Sequence, residues 1–427
     1  MIWDFVTSHF YIIATSLLCF SAWQLLLLYL LRWRGEGLAA KYVVWQNEAQ
    51  AVETATHEAR CASADEVADL PQGYPKISIV VPVSREAMEL DELLPCLLEQ
   101  DYAGWYEVVV ANQGQEEQVS LLLERWTQRS ARLRTTFVPA TSRYIELRKL
   151  AITLGVKAAR GEWVIVIGPT TVPSSSRWLQ CYAENLTPDV DFVEGYVNYA
   201  PDGSGSGRRA IMERVRTLQS RLRAYEHGVV LGCELSNFAL RRSWFMSVGG
   251  FAESLELPFG EEYIMACLHA DAYRTAFLCA PDTRLTEILP SRSTLTARRV
   301  AEAECRRRLH GKQKWYWLAE AVVAWCPCLF LLSNTVYSAL RIAMDCRTGV
   351  YAADWLAFDV VAGLWWLVAL FVPLLMPRRS MKALQERHPG LYIWLYDLML
   401  PWRMVYIDLL CRMQRRHFVR RYIPMTC

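Results

Sequence analysis

Runs of apolar residues long enough to cross a bilayer lie near both ends of the chain. One crossing takes about 20 predominantly apolar residues. Three runs meet this requirement: residues 10–31, 317–339 and 355–376. A fourth run, residues 391–410, contains two aspartates, one proline and one arginine. We therefore predict three membrane-spanning helices followed by a fourth segment that is interfacial or re-entrant.

The basic residues beside these runs predict how the chain is oriented. Arg32 and Arg34 follow the first run, Arg378–Arg379 follow the third, and residues 1–9 contain no lysine or arginine. Cytoplasmic flanks of membrane helices carry an excess of Lys and Arg. The pattern therefore places the N-terminus outside the cytoplasm and residues 32–316 inside it.

Between the apolar ends, short β-branched runs alternate with helix-forming segments. Four strands are predicted, at residues 77–83, 106–111, 133–138 and 163–167. Three helices are predicted between and after them, at residues 90–99, 118–129 and 144–159. Wholly apolar runs such as Ile-Ser-Ile-Val-Val-Pro-Val are typical of strands buried on both faces. The alternation predicts an α/β fold with a doubly wound, mostly parallel sheet, whose ligands bind beyond the carboxyl ends of the strands.

The chain is predicted to have four parts. They are an N-terminal transmembrane helix at 1–34, a juxtamembrane helical linker at 35–74, an α/β domain at 75–316 and a C-terminal membrane region at 317–427. Within the α/β domain, the stretch Gly203–Gly207 is interpreted as a flexible linker, because glycine and serine alternate there.

The composition narrows the class of protein. Hydrophobic residues make up 53% of the chain and charged residues 21%, which excludes a disordered chain. The formal net charge of +2 gives no indication of nucleic-acid binding. The 13 cysteines show no metal-ligand spacing, so a reducing environment is expected for most of the chain.

Several stretches in the middle of the chain carry a resemblance to a known family. They are residues 77–83 with Glu86, and then 97–102, 149–163, 237–242, 248–251 and 260–262. In this order they resemble a family 2 glycosyltransferase of the membrane-anchored bacterial kind, with the GT-A nucleotide-sugar fold. The resemblance implies a nucleotide-sugar donor, a lipid-linked or cell-envelope glycan acceptor, and a bacterial inner membrane with the domain on its cytoplasmic face. Membrane lipids and a membrane-protein complex are further partners that it allows.

The resemblance also implies which residues bind the donor. They lie at strand ends and at the start of one helix: Pro82, Val83, Glu86, Asn112, Gly114, Lys149 and Thr170. For Lys149 the alternative is an ordinary lysine on a helix surface.

The sequence departs from the family where carboxylates are expected. Asn112-Gln113 stands at the aspartate pair that holds the nucleoside, and Gly168-Pro169-Thr170 stands at the metal-binding Asp-x-Asp. Mg²⁺ and Mn²⁺ in such sites take carboxylate and phosphate oxygens as ligands. We therefore predict no conventional metal site, since a divalent cation would lack its usual protein ligands.

Two acidic residues and one amide are candidates on the acceptor side. Glu262, with Glu261 beside it, stands at the family's second acidic pair and is predicted to be the general base. The alternative is a solvated acidic pair at the start of a helix, where the helix dipole favours negative charge. Asn237 is predicted to line the acceptor side, with a structural hydrogen bond as the alternative.

The cationic stretch 306–314 has two interpretations. Arg308, His310 and Lys312 could face the diphosphate and replace the metal, because guanidinium groups bind phosphate oxygens well. Alternatively, the stretch is a juxtamembrane collar that attracts anionic lipid, at about 1 kcal/mol per residue. The family's Gln-x-x-Arg-Trp motif is reduced here to its arginine, Arg308, which argues against a processive polysaccharide synthase.

Two functions of different classes remain. The chain is either a membrane-anchored glycosyltransferase that works without a conventional metal, or an inactive pseudo-glycosyltransferase that serves as a scaffold or regulatory subunit in an envelope assembly complex. Loss of the carboxylates from an intact apolar framework fits both.

Overall fold

A computed structural model describes most of the chain. The described residues are 10–63, 74–84, 86–113, 117–138, 147–200, 204–254, 261–348, 356–375, 378–387 and 390–422. The chain divides into two compact units. The helical unit comprises residues 1–40, 212–223 and 315–406, and the sheet unit comprises residues 41–211, 224–314 and 407–427.

The described strands form two sheets in the sheet unit. They are β1 Ile77–Val83, β2 Tyr106–Asn112, β3 Leu133–Phe137, β4 Trp163–Ile167, β5 Thr171–Pro173, β6 Phe192–Gly195, β7 Val197–Tyr199, β8 Asn237–Arg241, β9 Thr275–Leu278 and β10 Leu285–Glu287. The larger sheet has the order β3-β2-β1-β4-β8-β6-β9, and the smaller has the order β5-β10-β7. Only β8 runs antiparallel to its neighbours among the described strands of the larger sheet. The predicted mostly parallel α/β sheet is confirmed.

Helices connect and cover these strands, and they also make up the helical unit. They are α1 Phe10–Ser63, α2 Ala87–Leu98, α3 Glu117–Arg129, α4 Leu147–Ala158, α5 Trp178–Ala183, α6 Gly205–Glu226, α7 Arg242–Ser247, α8 Glu261–His269, α9 Arg292–Arg307, α10 Gly311–Thr348, α11 Leu356–Leu375, α12 Arg378–Ala383 and α13 Tyr392–Tyr422.

The centre of the larger sheet is fully buried and mostly apolar. Every residue of β1, β2 and β4 is buried. Buried apolar surface contributes about 25 cal/mol per Å² to stability, so these β-branched strands hold the sheet unit together. Helix α4 lies so close to β1 that a Cβ atom on Gly155 would collide with Val80. Glycine at this position therefore sets the distance between helix and sheet.

One helix begins where the sequence predicts a flexible linker. Residues 204–207 of that stretch form the N-cap and the start of α6, because the Ser204 hydroxyl accepts a hydrogen bond of 2.9 Å from the Gly207 N–H. Serine is a strong N-cap, since its side chain satisfies an otherwise unpaired helical N–H. Helix α1 continues without a break from the first apolar run into the predicted helical linker.

One side chain of α1 caps the edge of the larger sheet. The Gln46 amide donates to the Phe277 carbonyl and accepts from the Cys279 N–H at 2.6 Å. Strand β9, which contains Phe277, is the last strand of the sheet on this side. Gln46 is buried, so its carboxamide pairs with the edge strand out of contact with solvent.

In the helical unit, α1 and α10 pack antiparallel to each other, and α11 packs against them. Ala14 and Leu18 of α1 form one cluster with Tyr337 of α10 and Ala362 of α11. At the other end, Leu28 of α1 packs with residues 323 and 326 of α10. Residue numbers therefore rise along α1 as they fall along α10.

The interior of the helical unit contains polar side chains at mid-helix. The Ser21 hydroxyl lies 2.8 Å from that of Ser333 and accepts from the Asn334 amide at 3.0 Å. Gln24, one turn along α1, is 1% exposed. The apolar side chains of the same helices are on the outside, with Ile12, Trp23 and Leu332 among those well exposed.

A segment of α6 completes the helical unit with charged side chains. Gln219 donates to Glu36 at 2.6 Å and to the Ser380 hydroxyl at 3.0 Å. Arg223 is ion-paired with Glu320. Further pairs join Arg403 to Glu213 and Arg216 to Asp397.

One described helix, Gly311–Cys346, is long and apolar enough to cross a membrane. It contains the second predicted span. Parts of the first and third predicted spans correspond to shorter apolar helices, at Ile12–Leu28 and Phe358–Ala369. Length and composition therefore indicate membrane association weakly.

Candidate functional site

The carboxyl ends of β1, β2 and β4 meet at one edge of the larger sheet. Val83 at the end of β1 is in register with Asn112 at the end of β2, and Ile77 is in register with Trp163 of β4. Strands β2 and β3 lie on one side of β1, while β4 lies on the other. The direction of winding therefore reverses between β1 and β4. In open α/β sheets, ligands bind in the crevice at such a switch point.

The β1 side of this crevice is built by backbone and one carboxylate. Pro82 and Val83 are both buried in the strand. After the strand, the Ser84 N–H donates a hydrogen bond of 2.9 Å to a carboxylate oxygen of Glu86. Pro82 and Val83 thus shape the wall, and Glu86 fixes the turn that leads into α2.

Asn112 lies beside this turn and is held from three directions. Its side-chain amide donates to the Ser120 hydroxyl of α3 at 3.1 Å, and its backbone carbonyl accepts from the Val138 N–H at 2.8 Å. The next N–H, of Gln113, donates to the Val83 carbonyl at 2.9 Å. Asn112 is therefore fixed at the strand ends, as the sequence predicts, while Gly114 lies outside the described residues.

The β4 side of the crevice is a tight turn without carboxylates. The Thr171 hydroxyl donates to the Gly168 carbonyl at 2.7 Å, and the Gly168 N–H donates to the Ser236 carbonyl at 3.2 Å. The Thr170 carbonyl accepts from Ile288 at 3.1 Å. Thr170 is half-buried, and its backbone is held by the smaller sheet.

These residues do not fit the divalent cation that the family resemblance implies. Residues 168–171 offer hydroxyl and carbonyl oxygens, whereas Mg²⁺ and Mn²⁺ bind through carboxylates in such sites. Among the described residues, no group of three or more His, Cys, Asp or Glu side chains is placed to hold a metal ion. The side chains at this turn therefore lack the ligands of a conventional divalent-cation site.

The lysine predicted to approach the donor is not a surface residue. Lys149, in the first turn of α4, is 1% exposed. The interpretation of Lys149 as an ordinary surface lysine is wrong, because α4 turns this side chain inwards. The neighbouring Arg148 donates to the Leu235 carbonyl at 2.9 Å and so joins α4 to the segment before β8.

Asn237 begins β8 directly opposite Ile167, the last residue of β4. Its side chain is fully buried and donates to the Tyr196 carbonyl at 3.2 Å. Any Cβ atom on Gly195 would collide with this amide. In this structure Asn237 makes the structural hydrogen bond that was the alternative to a role on the acceptor side.

The candidate catalytic acids stand at the start of a helix. Helix α8 begins at Glu261, and Glu262 follows in its first turn. The side chains of both residues lie outside the described part of the chain. The assignment of Glu262 as general base therefore stays a prediction.

Two arginines of the cationic stretch are ion-paired with carboxylates. Arg306 is ion-paired with Glu302 at 2.9 Å, and Arg307 is bound by Asp408. Arg308 is the C-cap of α9 and is half-exposed, and the following residues His310 and Lys312 are exposed. These three residues are the ones that the sequence assigns to the diphosphate or to a lipid surface.

A buried ion pair beside the β4 turn was not predicted from the sequence. Glu287 of β10 is in register with Thr171, and its side chain is fully buried. Arg298 of α9 binds it at 2.6 Å. The pair joins the turn after β4 to the helix that Arg308 caps. A carboxylate between the apolar residues Leu285 and Ile288 was the signal for it, because buried charges are paired.

Two thiols of the sheet unit are not nucleophiles. Burial raises the pKa of the Cys279 thiol to about 12. Burial, together with the Glu304 carboxylate, also raises the pKa of Cys411 to about 12. Since the thiolate is the reactive form, both are inert at neutral pH.

One segment of the chain is similar to a known family. Residues 78–249 match the family model "Glycosyl transferase family 2". No curated protein sequence gives a significant match.

The chain is also similar to solved structures. One is the mannosyltransferase PcManGT from Pyrobaculum calidifontis in complex with GDP-Man and Mn²⁺, at 17% identity and a TM-score of 0.46, covering 86% of this chain and 99% of that one. Another is S. aureus TarS 1–349, at 15% identity and a TM-score of 0.39, covering 79% of this chain and 92% of that one. The family match agrees with the motifs that carry the resemblance in the sequence, and it contains β1, β2, β4 and their crevice. Residues 78–249 are therefore similar to family 2 glycosyltransferases.

Proposed function

We propose that the protein is a membrane-anchored glycosyltransferase that transfers a sugar from a nucleotide-sugar donor to a lipid-linked or cell-envelope glycan acceptor. The observation that carries this proposal is the crevice between β1 and β4, within the segment that matches family 2 glycosyltransferases. Val83, Asn112 and Gly168 stand at its rim. The donor nucleotide binds there, as ligands of doubly wound sheets do.

Cationic side chains stabilise the donor diphosphate in this proposal. The crevice contributes amide and hydroxyl groups, from Asn112 and Thr170, which bind without bringing negative charge. Arg308, His310 and Lys312 supply positive charge from the C-cap of α9 and from the residues that lead into and begin α10. Positive groups aimed at the leaving diphosphate lower the barrier because negative charge develops there as the sugar departs.

Glu262 is the general base in the proposed reaction. The acceptor hydroxyl oxygen attacks the anomeric carbon and gives its proton to the Glu262 carboxylate, while the bond from that carbon to the diphosphate oxygen breaks. Base catalysis of this kind contributes about 10²–10⁴-fold in rate. Helix α8 begins at Glu261, and the N-terminus of a helix favours the negative charge that both glutamates carry.

Three membrane-spanning helices anchor the protein in this proposal. Large apolar side chains are exposed along α1, α10 and α11, which is the property of a surface that faces lipid. Among them are Phe20, Trp23, Leu329, Val336, Leu364 and Phe371.

Contacts of the α6 segment support the predicted orientation. Glu36 follows the first predicted span, Glu320 lies at the start of the second, and Ser380 follows the third. Gln219 or Arg223 contacts each of them. The ends predicted to be cytoplasmic therefore come together, and we assign the sheet unit to the cytoplasmic face of a bacterial inner membrane.

A scaffold or regulatory subunit is the second candidate. The absence of carboxylates from residues 168–171, within a turn whose backbone hydrogen bonds are intact, favours it. Selection for the fold without selection for donor binding produces this combination. The partner would then be another membrane protein of an envelope assembly complex.

Calorimetric titration of the purified protein with UDP-sugars and GDP-sugars, with Mn²⁺ and with EDTA, separates the two candidates. We expect binding that EDTA does not change and that Arg308→Ala weakens. Arg125→Ala, which alters an exposed ion pair of α3, is the control and leaves binding unchanged. Absence of binding under every condition would overturn the proposal of a glycosyltransferase and leave the proposal of a scaffold. Binding that requires Mn²⁺ would contradict the proposed role of the cationic side chains.

A further inference from the structure

Helix α13 has one apolar face that no part of the described chain covers. Six side chains along it are between 47% and 60% exposed: Leu395, Met399, Trp402, Tyr406, Leu409 and Met413. Their spacing alternates between four and three residues, so they form a continuous stripe along one side of the helix. In water such a stripe would be unfavourable, which indicates a partner.

The opposite face of α13 packs against protein and carries its charges. Tyr396 and Cys411 are buried. Within the helical unit, Arg403 donates to Glu213 at 3.2 Å and its guanidinium lies over the Tyr396 ring. Within the sheet unit, Cys411 contacts Glu304 at 2.8 Å. A helix with one protein-facing charged side and one free apolar side suits a boundary between protein and lipid.

The sequence at the end of α13 supplies the charge that such a boundary attracts. Residues 411–427 contain five arginines and no acidic residue. Trp402 and Tyr406 in the stripe are the residue types that favour the level of the lipid headgroups. Clusters of Lys and Arg beside an amphipathic helix bind anionic headgroups.

We propose that α13 lies in the plane of an anionic membrane surface, with the stripe inserted among the lipids and the arginines on the headgroups. The proposal rests on the membrane anchoring proposed above. Because Asp397, Arg403 and Asp408 occur within one stretch of twelve residues, α13 does not cross the bilayer. A second copy of the chain is a poorer occupant, since parallel pairing would bring two groups of five arginines together.

A photo-crosslinking experiment on the full-length protein in lipid nanodiscs tests this placement. The photoreactive residue p-benzoylphenylalanine is introduced in turn at Leu409, at Val336 on α10, and at Leu121, an exposed apolar residue of α3. We expect lipid adducts at Leu409 and Val336, and a several-fold lower yield at Leu121. Adducts are identified by mass spectrometry.

Each failure has a separate meaning. Absence of lipid adducts at Val336 would overturn the proposed anchoring and with it this inference. Adducts at Val336 without adducts at Leu409 would overturn the inference and leave the anchoring intact. Protein–protein dimers at Leu409 in place of lipid adducts would show that the stripe binds a second copy.

The charge requirement is tested by changing the lipid and the arginines. Nanodiscs of phosphatidylcholine alone are compared with nanodiscs that also contain phosphatidylglycerol. We expect the adduct yield at Leu409 to rise several-fold with the anionic lipid, and the rise to be lost when Arg415, Arg416, Arg420 and Arg421 are each replaced by Gln. A yield that does not depend on lipid charge would overturn the assignment of an anionic surface.

Discussion

The two units of this protein place polar and apolar side chains in opposite ways. In the sheet unit, β1, β2 and β4 bury almost uninterrupted apolar runs, and polar groups gather at the strand ends. In the helical unit, Ser21 and Asn334 are buried at mid-helix, while Trp23 is exposed. The interior of the sheet unit is thus mostly apolar, whereas the helical unit has polar groups in its interior and apolar side chains on its surface. The contrast shows why average composition describes neither unit.

The largest effect is expected from the chemistry assigned to the sheet unit. Glu262→Gln removes the proposed base and should lower kcat by about 10²–10⁴-fold, because proton removal from the acceptor hydroxyl is then uncatalysed. Nucleotide-sugar binding, measured by calorimetry, should not change. Glu253→Gln is the control, since Glu253 is exposed and pairs with His269 at 3.5 Å. Equal turnover in Glu262→Gln and the wild type would remove Glu262 from this role.

A buried charge in the sheet unit should matter more than an exposed one. Arg298→Met removes the guanidinium that binds the fully buried Glu287 carboxylate, and should cost about 3–5 kcal/mol of stability. Arg125→Met breaks a pair whose side chains are about half exposed, and should cost about 0–1 kcal/mol.

Thermal unfolding of the purified variants in detergent measures this difference. The double variant Arg298→Met with Glu287→Leu should recover much of the loss, because no buried carboxylate is then left behind. Equal shifts in Arg298→Met and Arg125→Met would show that the Glu287–Arg298 pair is dispensable.

Polar groups inside the helical unit should contribute less than this pair. Asn334→Leu removes hydrogen bonds of 3.0 Å to Ser21 and to the Phe330 carbonyl, and should destabilise the unit by about 1 kcal/mol. Thr335→Val is the matched control on the same helix. Its hydroxyl is exposed and donates locally to the Leu331 carbonyl, so little change is expected.

Unfolding in mixed micelles by increasing amounts of dodecyl sulfate gives both values. If Thr335→Val were the more destabilising substitution, the proposed contrast between polar interior and apolar exterior would be reversed.

The smallest expected effect is an opposite response of two carboxylates to pH. Hydrogen bonding and ion pairing with Arg274 lower the pKa of Asp191 in the sheet unit below its ordinary 3.8. Its contribution to stability is therefore present above about pH 3.8 and is lost as the pH falls further. Burial raises the pKa of Glu36 in the helical unit above 4.5, so its contribution is present below that value and is lost as the pH rises through the higher pKa.

Lowering the pH from 7 to about 4.5 should therefore stabilise the wild type relative to Glu36→Gln, and a further decrease should destabilise it relative to Asp191→Asn. Thermal unfolding across this range measures both differences. A Glu36→Gln curve parallel to the wild type would contradict the raised pKa of Glu36.

The first four strands could be predicted closely because each is a local pattern, whereas β5 to β10 were not predicted. The predicted β4, residues 163–167, has the observed bounds, and β1 was likewise predicted in full. The first and last residues of a long apolar β-branched run can be read directly from the sequence. Strands β5 and β10 could not be predicted from the sequence, because a strand of three residues shows no periodicity. The linker assigned at Gly203–Gly207 was wrong because the serine cap decides the conformation there.

The site was predictable to the extent that it follows from strand ends. Asn112 and Thr170 lie where the alternation of strands and helices places them. The burial of Lys149 and the pairing of Glu287 with Arg298 were not predictable, because each depends on elements far apart in the sequence. The side chain of Glu262 and the residue Gly114 lie outside the described part of the chain, so their roles stay predictions.

The amide of Gln46 has a consequence for how the protein avoids aggregation. An uncovered edge strand offers free N–H and C=O groups to which another chain can add a strand. At Phe277 and Cys279 the Gln46 carboxamide occupies one carbonyl and one N–H of this kind. A single side chain therefore makes the hydrogen bonds that a neighbouring strand would make. At this part of the sheet edge, it prevents another molecule from adding a strand.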